Sequence, residues 1–309
     1  MGFLTRCLCV AAALTLAACA SLPPGDWQPA PGDSLPARAE RVDAPFHPQE
    51  AYQCGPAALA TVLGSAGIRR SPEALRDEVY IPARQGSLQP EILAAARRAG
   101  AVAYRLAPAP RALLKEVAAG HPVMVLQNLR FDWLPQWHYA VVVGYDLPAG
   151  QVVLRSGGEK RLVMDLAAFD RSWAKAERWA VVALPPDQLP ATANEADYVA
   201  AAVVVERVAP AAAEQAYRTA LQAWPGNLIA HIGTGNAAYR RGDLAAAEAA
   251  FRQAATEHPE SGDAWNNLAQ VLHERGSKSA AREAAERAVA IGGPRLPTYR
   301  QTLATVSGG

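Results

Sequence analysis

Cys54 and His138 are the residues of this chain whose types and surroundings could do covalent chemistry. Cys54 stands in Gln49-Glu50-Ala51-Tyr52-Gln53-Cys54-Gly55-Pro56-Ala57-Ala58-Leu59, where an apolar helical pattern begins. A thiolate at a helix N-terminus is favoured by the helix dipole and by amides that lack an intrahelical partner. Gly55 would let a substrate backbone approach, and Pro56 falls in the first turn, where its missing N–H costs nothing. A glutamine a few residues upstream can set its side-chain amide beside the Cys54 N–H, and together they would hold an oxyanion.

The matching base is a histidine that opens a later strand. His138 does so, in Trp137-His138-Tyr139-Ala140-Val141-Val142-Val143-Gly144-Tyr145-Asp146. His231, His258 and His273 fall in a later helical region, His47 lies awkwardly close to Cys54 along the backbone, and His121 sits in a Gly-His-Pro turn. A neutral imidazole at 138 would take the thiol's proton or form the ion pair, then protonate a leaving amine. If 139–145 and 151–156 form a hairpin, Ser156 comes back beside the start of the first strand. There its hydroxyl would orient the imidazole. Asp146 is at the far end of that strand, about 3.3 Å per residue away, and Asp165 and Asp170 flank a short helix as caps or solvated charges. No His or Cys cluster has metal-ligand spacing and no glycine loop is built for phosphate, so no metal or cofactor is expected.

The elements that must position these groups form an α+β order. Helices are expected over 54–67, from Ser71-Pro72-Glu73 onward, over 87–99 and over 110–119. Strands are expected at 101–107, 122–127, 139–145, 151–155, 160–164 and 178–184. Helices first and antiparallel strands afterwards give one domain over 46–184. Trp133, Trp137, Trp173 and Trp179 are expected in its core, with a cleft lining as the other reading. A Pro-rich joint at 185–193 closes the domain.

The Cys54 segment resembles the papain-like peptidases of the bacteriocin leader (double-glycine) processing family, whose mark is a glutamine, a short spacer and Cys-Gly before a helix. The resemblance covers 46–184. It implies a papain-like fold, a cysteine peptidase activity, Cys54 as nucleophile and His138 as base. The family's glutamine usually stands six places before the cysteine, where this chain has Pro48. Gln49, five before, is the choice for the oxyanion hole and Gln53 the substitute. The family's Asp-Pro after the next strand is replaced by Arg155-Ser156-Gly157.

Beyond the joint the chain is alanine-rich and repeats. Pro225 and Pro259 lie 34 residues apart, and Ala213/Ala247/Ala281, Ala220/Ala254/Ala288 and Tyr217/Phe251 keep the same register. That period, with small residues where helices cross and an aromatic filling between them, resembles the tetratricopeptide repeat. An all-α repeat region over 194–309, capped by 296–306, would present a surface to a protein partner or substrate.

The N-terminus has its own logic. Residues 1–18 carry Arg6 and an apolar run too short to span a bilayer, ending in Leu16-Ala17-Ala18-Cys19, which resembles the bacterial lipobox. This reading makes 1–18 a signal peptide, Cys19 a lipidated first residue, and 19–45 a Pro/Ala-rich tether. The protein would be held at the outer membrane facing the periplasm. Of four cysteines, Cys7 and Cys9 leave with the signal and Cys19 takes lipid, so Cys54 is the one free thiol of the mature chain. The formal charge of +1 falls to zero, which speaks against a nucleic-acid partner. The functional expectation is an envelope-anchored cysteine peptidase with a partner-binding repeat module. Its rivals are another acyl transfer on the same dyad (transpeptidase or amidase) and a non-catalytic scaffold acting through its repeats.

Overall fold

The computed structural model describes residues 25–28, 32, 34–48 and 53–308. Cys19 and Gln49 lie outside the described residues. In chain order the first region comprises β1 (Arg38–Glu40), α1 (Cys54–Ser65), α2 (Pro72–Val79), β2 (Tyr80–Ile81), β3 (Gly86–Ser87) and α3 (Gln89–Arg98). There follow β4 (Val102–Arg105), α4 (Pro110–Ala118), β5 (Val123–Asn128), β6 (Trp137–Asp146), β7 (Gln151–Ser156), β8 (Glu159–Asp165), α5 (Leu166–Ala174) and β9 (Ala180–Leu184).

The strands form one antiparallel sheet in the order β4-β9-β5-β6-β7-β8, with β2 and β3 a separate small ribbon. The near-continuous apolar runs of β5, β6 and β9 are those of strands covered on both faces. On one face lie α1, α2 and α3, which bury Leu59, Leu63, Leu75 and Ile92 against Val141, Val143 and Val181. On the other, α4 and α5 bury Leu113, Phe169 and Trp173 against Val123, Val125 and Val142.

The stretch expected to be a tether is held by the domain over much of its described length. Trp27 is wholly buried, its ring edge-on to Phe169 at 5.9 Å and beside Trp173 at 6.2 Å. β1 pairs with the end of β6, Arg38 opposite Asp146 and Glu40 opposite Gly144. Gly144 makes this possible, because a Cβ there would lie 2.8 Å from the Ala39 carbonyl and 2.9 Å from the Glu40 side chain. Buried Arg155 then donates to the carbonyls of Val42 and Ala44 at 2.9 and 3.3 Å. A Pro-rich composition conceals all of this, since one tryptophan and three paired backbone residues leave no periodicity.

The 185–193 joint is pinned in the same manner. The fully buried Glu116 carboxylate accepts from Ala191 N, Thr192 N and the Thr192 hydroxyl at 3.1, 2.7 and 2.6 Å, and faces His121 Nδ1 at 2.8 Å. His121 therefore does structural work rather than sitting free in a turn.

Six further helices follow: α6 (Glu195–Glu206), α7 (Pro210–Ala223), α8 (Leu228–Arg240), α9 (Leu244–Glu257), α10 (Gly262–Glu274) and α11 (Lys278–Ile291), with α12 (Leu296–Ser307) covering the end. The alanines read at 34-residue spacing are buried, and the Tyr217 and Phe251 rings lie against Gly233 and Gly235 of α8. Tyr198, Val199, Ala202 and Val205 of α6 join the same core as α4 and α5, so the repeats continue the first domain's hydrophobic interior.

Candidate active site

Cys54 is the first residue of α1. Gln53 is its N-cap and makes no side-chain capping bond, though its carbonyl accepts from Ala57 N at 3.2 Å. The amides of Cys54 and Gly55 have no intrahelical partner and Pro56 has no N–H, so the free donors of this helix end converge on the sulfur. They and the Tyr139 backbone amide hold the thiol's pKa down, but burial outweighs them and pushes it up. The helix dipole by itself favours a thiolate, and desolvation of the anion at this half-buried position reverses that sign.

His138, the second residue of β6, opens onto the same cavity as Cys54, a cleft of about 880 Å³ also walled by Ser87, Leu126, Trp137 and Trp179. Burial lowers the imidazole's pKa. Taken singly, each shift favours the neutral form of its group. Ser156 ends β7, and its Oγ lies 2.8 Å from His138 Nε2. The hairpin register brings them together: Val141 stands opposite Arg155, so Ser156 falls diagonally beside the strand's opening residues.

The structure thus brings Cys54 and His138 to one cleft, with Ser156 within hydrogen-bond distance of His138. It leaves Asp146 at the far end of β6 with Arg38, Asp165 capping α5 through Ala168 N, and Asp170 against Arg178. The tryptophans divide: Trp173 and Trp179 are buried, Trp137 and Trp179 line the cleft, and Trp133 is 79% exposed.

Two features escape a reading of the sequence. Gly55 faces Ser87 rather than substrate, because a Cβ there would sit 2.5 Å from the Ser87 Oγ. That hydroxyl is buried without a hydrogen-bond partner among the described residues and forms part of the cleft wall. Tyr139 stacks edge-on against Trp179 at 5.8 Å, and its hydroxyl pKa is pushed up by burial and by the nearby Cys54 and Glu91. Ser87 follows a turn with Gln85 in the left-handed region, φ 48°, and no side-chain pattern in the sequence signals that turn.

Residues 41–181 match the family described as Peptidase_C39 like family, and residues 209–261 and 232–295 match the tetratricopeptide repeat. A solved structure from Bacillus anthracis, described as a C39-like peptidase, is similar over 48% of this chain and 97% of its own, at 18% identity and a TM-score of 0.41. No curated protein matches the chain. The chain therefore carries an α+β domain of C39-like peptidase fold followed by tetratricopeptide-type helical repeats.

Proposed function

We propose that this is an envelope-anchored cysteine peptidase, in which Cys54 is the nucleophile, His138 the acid and base, and Ser156 the group that orients His138. The observation that carries the reading is the meeting of a helix-terminal thiol and a serine-held imidazole in one cleft, inside the segment that matches the C39-like family.

Ser156 Oγ stands 2.8 Å from His138 Nε2; in the tautomer that donates Nε2–H to this hydroxyl, Nδ1 is bare to accept the proton of Cys54. The sulfur attacks the peptide carbonyl carbon, and the oxyanion is taken by the Cys54 N–H and by the Gln49 side-chain amide. His138 returns its proton to the leaving amine as the C–N bond breaks. Water, deprotonated by the same imidazole, then cleaves the thioester. Cys19 carries the lipid anchor in this reading, at the outer membrane facing the periplasm, and the repeats hold a protein partner or the substrate.

The test compares envelope peptides from cells carrying the wild-type chain and Cys54→Ala, alongside labelling of the purified protein by a peptide-like thiol electrophile. Specific peptides should accumulate in the variant, and labelling of Cys54 by the peptide-like electrophile should saturate with its concentration and be lost in His138→Ala. Identical peptide profiles together with unsaturable labelling that is indifferent to His138 would leave a scaffold acting through its repeats.

A further inference from the structure

Residues 129–137, between β5 and the start of β6, are all exposed, and they include Leu129, Phe131, Trp133, Leu134 and Trp137. Among the described residues, every exposed Phe or Trp belongs to this segment. Its backbone is nevertheless fixed. Asn128 Oδ1 accepts from Arg130 N and Gln136 N, both at 3.0 Å, Leu129 N donates to Gln136 O at 2.9 Å, and Lys175 Nζ donates to Arg130 O at 2.7 Å. The Phe131 and Trp133 rings stack at 5.7 Å. A rigid loop that holds five large apolar side chains in water is a built contact surface.

The route of the chain selects its occupant. β5 ends, α4 begins and α5 ends at the same end of the sheet as this loop. There Trp27 is clamped by Phe169 and Trp173, and Arg111 at the start of α4 donates to Gln28 O at 3.2 Å. Trp27 and Gln28 therefore lie toward the pole that carries both the loop and the cleft. Cys19 stands six positions before Gly25, an extended reach of about 20 Å, whereas a free tether to residue 45 would reach about 90 Å. A lipid on Cys19 would hold this pole against the bilayer. Trp, Phe and Leu are suited to that interface. Arg84, Arg105, Arg130 and Lys175 surround the pole against Asp132 and Glu177, a cationic excess suited to anionic headgroups.

We propose that residues 129–137 make a second, non-covalent contact with the interfacial zone of a bilayer containing anionic phospholipid, seating the cleft mouth at the membrane surface. The proposal rests on the anchored reading of the N-terminus, and the experiment separates the two. Full-length protein purified from membranes is reconstituted into vesicles of phosphatidylethanolamine and phosphatidylglycerol, with and without lipid brominated near the headgroup. Tryptophan emission is then compared. Quenching is expected, up to the share of two tryptophans in seven, Trp133 and Trp137. Trp133→Ser should remove roughly half of it, and Phe131→Ser with Leu134→Ser should abolish it.

Unquenched wild-type emission, or quenching that survives all these substitutions, overturns the loop contact. So does a Trp133→Ser variant that changes which peptides are cleaved without any lipid quenching, because the loop then belongs to the substrate. The anchor is read separately, from the mass of the N-terminal peptide. Unmodified Cys19 with a quenched loop defeats the anchor and supports the loop contact, while lipidated Cys19 with an unquenched loop does the reverse.

Discussion

Ser156 Oγ lies 2.8 Å from His138 Nε2, so the imidazole is oriented by a neutral hydroxyl rather than a carboxylate. A neutral hydrogen bond contributes about 1 kcal/mol, roughly fivefold in rate. Ser156→Ala should therefore lower kcat about fivefold with KM nearly unchanged, whereas His138→Ala should cost at least about a hundredfold. Steady-state kinetics on any peptide the wild type cleaves decides this. An equal loss in the two variants would mean that Ser156 does more than orient.

Gly55 and Ser87 are in contact at the nucleophile's own turn. Gly55→Ala forces the β3 wall and the start of α1 apart, because the new methyl would stand 2.5 Å from the Ser87 oxygen. The expected cost is about 1–3 kcal/mol of stability with a marked fall in Cys54 alkylation. Adding Ser87→Gly should restore both. A double-mutant cycle by denaturant unfolding and labelling measures the coupling, and simple additivity would refute the contact as the cause.

The two pKa shifts make opposite contributions at the two ends of the pH scale. Folded His138 accepts a proton only below its ordinary value near 6.5. As pH falls through that value the unfolded chain binds more protons, and stability drops until the folded pKa is also passed. His138→Gln should flatten this acid slope in urea unfolding. Cys54 is raised above 9.0, so its alkylation should climb with a midpoint above that of a free thiol and show no plateau near neutrality. An acid plateau would reveal a standing thiolate–imidazolium pair.

Trp27 fixes the segment that leads into the domain. Trp27→Ala empties a fully buried site between Phe169 and Trp173 and should cost about 3–5 kcal/mol. Proteolysis of the variant should then begin within 34–45, while the wild type should resist there. Arg155→Ala should expose the same segment by removing the donors that hold the Val42 and Ala44 carbonyls. A segment cut equally fast in all three proteins would restore the picture of a free tether.

Features that local pattern encodes were legible in the residues alone. Apolar runs bounded by Gly and Pro gave the strands from β4 to β9, small residues at 34-residue spacing gave the helix pairs, and Cys-Gly-Pro before an apolar helix marked Cys54. Hairpin geometry placed Ser156 near His138 because the register of adjacent strands is short-range. Contacts between distant segments emerged with the folded chain. Glu116 gathers the 185–193 joint, Arg155 gathers residues 42–44, and Trp27 reaches α5, each across more than seventy residues and without periodicity. The fold also reversed the electrostatic reading of Cys54. The helix dipole is legible from position along the chain, but desolvation depends on what closes over the sulfur. Here that is β6 and the β3 turn, and burial of an anion outweighs the free amides that a helix end provides.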